Sequence, residues 1–240
     1  MSCKSQIYFL HIPRTSGRAT HTDLHNAGVK LSTLSLDTYL STKDWNPNSL
    51  LCGHFGNHPT KLGKKIQTFT LVRDVISHTA SMSIFAPAKM SRLQFLKQLI
   101  YDEPSGVFPF VANPQSSFIY SDISFAKRGI WGQYQLPRIS FSNAAQDVFS
   151  VVHFAESKGI KIYPIENRHN FLHDVASCFN KNLVAIQDFP KETNTEIEEF
   201  CVDNSKAILQ KHHIDFELHS RAMLGLNHEH RTDGRKSMEN

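Results

Sequence analysis

The sequence predicts a single α/β domain whose central parallel sheet is covered by helices on both faces. Short apolar or β-rich runs recur at Ile7 to Leu10, Ser49 to Cys52, Thr68 to Val72 and Lys161 to Ile165. Helix-like stretches of about 10 to 15 residues separate them, the alternation that builds β–α–β units. With 240 residues, 40% of them hydrophobic, and 17 phenylalanines, the chain can bury one large core.

Each element has a local reason. The first strand run passes through a short turn into a helix over Thr15 to Ala27, which Gly28 closes as a C-cap. Helical periodicity marks Ser77 to Ile84, Ser91 to Tyr101, Ala144 to Lys158 (ending at Gly159) and Asn170 to Phe179. Two further helices are expected at Asn194 to Gln210 and Asp215 to Leu224. Residues 1–225 then form the domain, and 226–240 are expected to be a polar, flexible tail.

Charge and cysteine usage exclude several classes. Twenty-six Lys and Arg against 22 Asp and Glu give a net charge of +4, too small to argue for a nucleic-acid partner and too balanced for a disordered acidic chain. Cys3, Cys52, Cys178 and Cys201 form no CxxC pair, so neither a zinc site nor a disulfide framework is indicated and the thiols are expected to be reduced. Ile7 to Leu10 is too short for a signal-peptide core, and no window reaches the roughly 18 apolar residues of a membrane span. A soluble, cytoplasmic protein is the expectation.

In a parallel sheet ligands bind at the carboxyl ends of the strands. The first strand is followed by His11-Ile12-Pro13-Arg14-Thr15-Ser16-Gly17-Arg18-Ala19-Thr20. Here the N–H groups of a helix start, two guanidinium groups and three hydroxyls could cradle an anion. The plainer alternative is that Thr15 and Ser16 cap the helix and the arginines are solvated. No GxxxxGK[ST] is present, which weakens an ATP or GTP reading.

The segment resembles the HIPKTAGTS-type loop of sulfotransferases that use 3′-phosphoadenosine 5′-phosphosulfate (PAPS), in particular their carbohydrate-modifying branch. Arg73 at a strand end with Ser81 eight residues on is similar to the second cofactor motif of that family. Cys52-Gly53-His54-Phe55 is similar to its GH segment, Asn113-Pro114-Gln115 to its Asn-x-Gln segment, Ile165-Glu166-Asn167 to its strand-end Glu, and Asp215 to Leu218 to its C-terminal Asp-x-x-Leu helix. In order, these motifs span roughly residues 6 to 224.

The resemblance implies a P-loop-like topology close to that of nucleotide kinases, PAPS as sulfate donor and adenosine 3′,5′-bisphosphate (PAP) as product, with no metal. Arg14 through Thr20 would hold the 5′-phosphosulfate. Arg14 stands where the family has Lys: it keeps the charge but cannot deliver a proton at neutral pH. Arg73 and Ser81 would hold the 3′-phosphate, and His78 stands where the family often has another Arg. His54 is the candidate general base for a hydroxyl or amine acceptor, and His11 its competitor. Glu166 could orient the base or the acceptor, or cap a helix. Asn113 and Gln115 could contact acceptor or cofactor, or form an Asx turn. A carbohydrate or small-molecule acceptor is expected, with Phe108, Phe110, Tyr120, Trp131 and Tyr134 available for stacking or for the core.

The pairs His21/His25 and His54/His58 are four residues apart but bring no acidic third ligand, so no metal site is expected. Two alternatives stay open: a P-loop phosphotransferase and a nucleotide-binding module without catalysis.

Overall fold

The computed structural model describes residues 6–34, 38, 39, 41, 45–61, 65–102, 110–120, 144–183, 186 and 193–225. The expected tail at 226–240, and Phe108, Trp131 and Tyr134, lie outside the described residues. The sheet has five parallel strands: β1 (Gln6–Leu10), β2 (Leu31–Thr33), β3 (Leu50–Gly53), β4 (Ile66–Val72) and β5 (Ile160–Pro164). Their spatial order is β2-β3-β1-β4-β5, a P-loop-like arrangement with β1 at the centre. The chain lays β3 on one side of β1 and β4 on the other, so the crevice at the carboxyl end of β1 is the switch point of the sheet.

Alternate side chains enter two cores. Tyr8, Leu10, Leu51 and Val72 face one, and Ile7, Phe9, Leu50, Cys52, Phe69 and Leu71 the other. Burial on both faces is what the apolar strand runs require. The second core is closed by α1 (Gly17–Asn26) through Leu24 and by α6 (Arg168–Ser177) through Phe171, Leu172, Val175 and Ala176. The first is closed by α2 (Val75–Met82), α3 (Arg92–Tyr101), α4 (Pro114–Tyr120), α5 (Ala144–Ser157), α7 (Thr195–Asp203), α8 (Ser205–Lys211) and α9 (His213–Gly225). No helix among the described residues is long and apolar enough to cross a membrane.

Helix starts follow capping chemistry. Asp74 accepts from the N–H groups of Ile76 and Ser77 at the head of α2, Ser91 and Gln94 form a capping box on α3, and Asn194 accepts from Ile197 on α7. Gly28 and Gly159, both at positive φ, follow α1 and α5 as expected. One expectation is corrected, the unbroken helix at 194–210, and two further elements are defined. The edge strand β2 was not anticipated, since three residues carry no readable alternation. The single helix expected at 194–210 breaks at Asn204, whose amide turns back to the Phe200 carbonyl at 2.7 Å and whose carbonyl oxygen accepts from Tyr101. Asn113-Pro114 opens the short helix α4. Cys52, Cys178 and Cys201 are free thiols.

A buried ion pair ties α1 to α6: Arg168 meets Asp23, whose side chain is fully buried. Removing one partner of such a pair leaves an uncompensated charge. Asp23→Ala should therefore lower the unfolding free energy by about 3 to 5 kcal/mol in urea titrations; a loss under about 1 kcal/mol would assign the pair no structural weight.

Candidate functional site

The carboxyl ends of β1, β3 and β4 meet around a cleft of about 640 Å³, within the usual range for small-molecule sites. The loop from His11 to Ser16 forms its floor and runs into α1. Four consecutive carbonyls of that loop accept from side chains, three of which arrive from other elements. His54 Nδ1 donates to the His11 oxygen at 2.5 Å, Thr15 Oγ1 to Ile12 at 2.9 Å, His78 Nε2 to Pro13 at 3.0 Å, and Arg73 Nη1 to Arg14 at 3.4 Å. Arg14 and Ser16 adopt left-handed φ values of 70° and 66°, which bends the chain sharply before α1.

Gly17 makes room for His11: a Cβ there would lie 1.8 Å from His11 Nε2, so the imidazole packs directly on the helix start and a larger residue would displace it. Ser16, the residue before α1, makes no side-chain cap, and Ser16, Gly17, Arg18 and Ala19 line the cleft. The amino end of α1, with its first-turn N–H groups, thus opens into the cleft. Arg14, Arg18 and Arg73 line the same space, and no carboxylate does so among the described residues. Such a donor set suits a polyanion.

Each candidate residue can be placed. His11, Arg14, Ser16, Gly17, Arg18, Ala19, His54, Arg73 and Ser81 line one cleft. Two hydroxyls of the expected cradle do not. Thr15 is buried and closes its own turn, and Thr20 is buried, its hydroxyl without a hydrogen-bond partner among the described residues. Ser81 donates to the His78 carbonyl at 2.6 Å while its own carbonyl accepts from Arg14 Nε at 3.1 Å. Asp74 spends its carboxylate on the cap of α2.

His78 is buried and turned to Pro13, so it braces the loop and adds no charge to the cleft. Neither Asn113 nor Gln115 lines the cleft; both are buried and hydrogen-bonded to backbone. Glu166, beyond β5, pairs with His219 of α9 at 3.0 Å, and it is the His11 carbonyl that orients His54. Phe110 packs on Phe95 and Tyr120 on Phe154, away from the cleft. Pro13, Phe85, Ile165 and Thr193 complete its wall among the described residues, and of these Phe85 and Thr193 carry no mark in the local sequence.

Tyr8 holds the segment that carries His54, its hydroxyl lying 3.3 Å from the Gly53 carbonyl and 3.1 Å from that of Gly56. Because the His11 oxygen can only accept, His54 carries its proton on Nδ1 and, when neutral, its lone pair on Nε2. Its ring lies 4.5 Å from that of His11, which lies 5.7 Å from His21. His21 also meets Phe9 edge-on, while His25 is exposed, so the pair does not converge.

Burial lowers the pKa of all three clustered histidines, and the neighbouring His54, His21 and Arg14 push that of His11 down further. Burial also depresses Arg73, followed by the charge of Arg14. The cluster is neutral near pH 7. The fold and the site define an α/β protein with a cationic cleft at the switch point of its sheet. Compared with known proteins, the chain matches no family model, and no curated protein matches it.

Burial takes His78 from 6.5 to about 4 and His212 to about 3. Between those values and 6.5 the unfolded chain binds protons that the folded chain refuses, so stability is full above pH 6.5 and falls as pH drops. Asp215, raised by burial from 3.8 to about 6, acts in the opposite sense, and the two histidine shifts outweigh it. The melting temperature should fall steadily from pH 7 to pH 5 in calorimetry; a constant or rising value across that window contradicts the assignment.

Proposed function

We propose that this chain is a PAPS-dependent sulfotransferase acting on a hydroxyl or amine acceptor. The observation that carries the reading is the convergence of Arg14, Arg18, Arg73 and the open amino end of α1 on one cleft with no carboxylate among its described lining residues. That donor set suits a ligand with two separated phosphate groups, and a lysine-dependent triphosphate loop is absent from the sequence. The start of α1 with Arg14 would hold the 5′ end and Arg73 the 3′-phosphate, to which Ser81 donates once its hydroxyl turns from the His78 carbonyl.

The donor would supply an activated sulfuryl group. The chain's own tasks are then to position and to stabilise charge, as in phosphoryl transfer. His54 Nε2 accepts the proton of the acceptor, with the His11 carbonyl keeping the proton-bearing Nδ1 turned away. The lowered pKa of His54 leaves it unprotonated at neutral pH, as a base must be. Arg14 and the helix-start N–H groups stabilise the negative charge that develops on the leaving phosphate. A carbohydrate is the favoured acceptor by motif resemblance alone.

Two departures favour a second reading. Arg14 stands where the resembled sulfotransferases carry the lysine that meets the leaving phosphate, and His78, where they often carry another Arg, is committed to the loop; the two departures together suit a module that binds nucleotide without turnover.

PAP should bind about 10 to 100 times more tightly than adenosine 5′-phosphate in calorimetric titrations, the worth of charge-assisted hydrogen bonds to the extra phosphate. Arg73→Ala should erase the difference, and equal binding by the unaltered protein would remove the assignment. In a labelled-donor assay His54→Ala should lower transfer about 10²- to 10⁴-fold with PAP affinity retained. A rate near that of the unaltered protein would move the base elsewhere; PAP binding without transfer to any of a panel of sugars, phenols, amines and peptides would select the non-catalytic reading.

A further inference from the structure

Arg73 is the first residue after β4, beyond the last paired positions of the sheet, Leu10↔Thr70 towards β1 and Val72↔Pro164 towards β5. A strand end in this position has no ladder to fix its direction. Gln115 supplies one. Its side-chain oxygen accepts from the Arg73 N–H at 2.7 Å and its side-chain nitrogen donates to the Arg73 carbonyl at 2.8 Å. The amide thus imitates the paired bonds that a neighbouring strand residue would exchange with Arg73.

The clamp is itself held. Gln115 is fully buried in the first turn of α4. Its own N–H and that of Ser116 donate to Asp215 Oδ2 and Oδ1 at 2.9 and 2.7 Å. Asp215 lies in the first turn of α9, whose Ile214 and Asp215 N–H groups donate to Asn113 Oδ1 at 3.0 and 3.2 Å. The Asn113 N–H donates to His212 Nδ1 at 3.1 Å. Two helix starts about 100 residues apart in sequence therefore cap one another, and the product of that arrangement is a rigid amide against Arg73.

We infer that Gln115 is a positioning residue for anion recognition: it fixes the backbone of Arg73, and with it the direction in which the guanidinium enters the cleft, without lining the cleft itself. The inference rests on the reading that Arg73 meets an anionic group of the ligand. Since misplacement of a recognition group by about 1 Å is costly, selectivity for the 3′-phosphate would be set by a residue that never touches it.

The test uses Gln115→Met, which keeps side-chain volume but loses both hydrogen bonds, and Gln115→Ala, each alone and combined with Arg73→Ala. Binding of PAP, adenosine 5′-phosphate and inorganic pyrophosphate is measured by calorimetry. PAP should weaken about tenfold while adenosine 5′-phosphate stays within about twofold, and the double variants should bind PAP no worse than Arg73→Ala alone, because both changes remove one contact. An unchanged PAP preference in Gln115→Met, or effects of the two sites that simply add, overturns the inference. If the unaltered protein binds PAP and adenosine 5′-phosphate alike, the cofactor reading falls, and the clamp is judged on pyrophosphate, where the same non-additivity is required. A measurement without variants covers poor folding: the Arg73 amide should exchange slowly with solvent although it follows the last paired strand position, and fast exchange overturns the clamp.

Discussion

The site depends on how the chain between β1 and α1 disposes of its carbonyls. A loop that is to present N–H groups to an anion must turn its carbonyl oxygens away, and those oxygens then need donors. Here the oxygens of residues 11 to 14 take donors from His54 after β3, from Thr15 within the loop, from His78 on α2 and from Arg73 after β4. Two strand ends and one helix are thereby tied to a turn containing two non-glycine residues at positive φ. Strain of about 1 to 3 kcal/mol per residue in such conformations persists only when the surroundings over-determine it.

The electrostatics follow from the same packing. Of the imidazoles that hold the loop, His78 is buried and His54 half-buried, and desolvation lowers the pKa of both, so they brace the cleft without adding to its charge near pH 7. The positive charge comes instead from Arg14, Arg18 and Arg73, which reach the cleft. Burial already weakens the protonated form of Arg73, with Arg14 nearby adding to the effect, so an anion placed between them would relieve that repulsion. The division into neutral struts and charged walls explains why histidine at position 78 is compatible with the loop where another arginine would have been forced into the interior.

Much of this could be read from the chain before its structure was considered. Short apolar or β-rich runs located β1, β3, β4 and β5, Gly28 marked the end of α1, and the residues just after the first three runs proved to share one cleft, because a parallel sheet gathers carboxyl ends at one edge. What stayed hidden depended on pairings distant in sequence. Thr15 and Thr20 look like ligand hydroxyls until the turn buries them. Gln115 acquires a role only once α4 lies beside Arg73, and Asn113 and Asp215 look like separate turn and helix residues until each caps the other's helix. The break at Asn204 likewise needs Tyr101 to arrive from α3.

The central claim is that the amino end of α1, with the pinned loop before it, receives a doubly phosphorylated nucleotide. A crystal structure of the chain with PAP tests it most directly. The account predicts the 5′-phosphate on the N–H groups at the start of α1, at hydrogen-bond distances of about 3 Å, with the 3′-phosphate on Arg73. A nucleotide bound elsewhere, for example in the cavity of about 350 Å³ beside Lys30 and Lys181 at the amino ends of the strands, would contradict it.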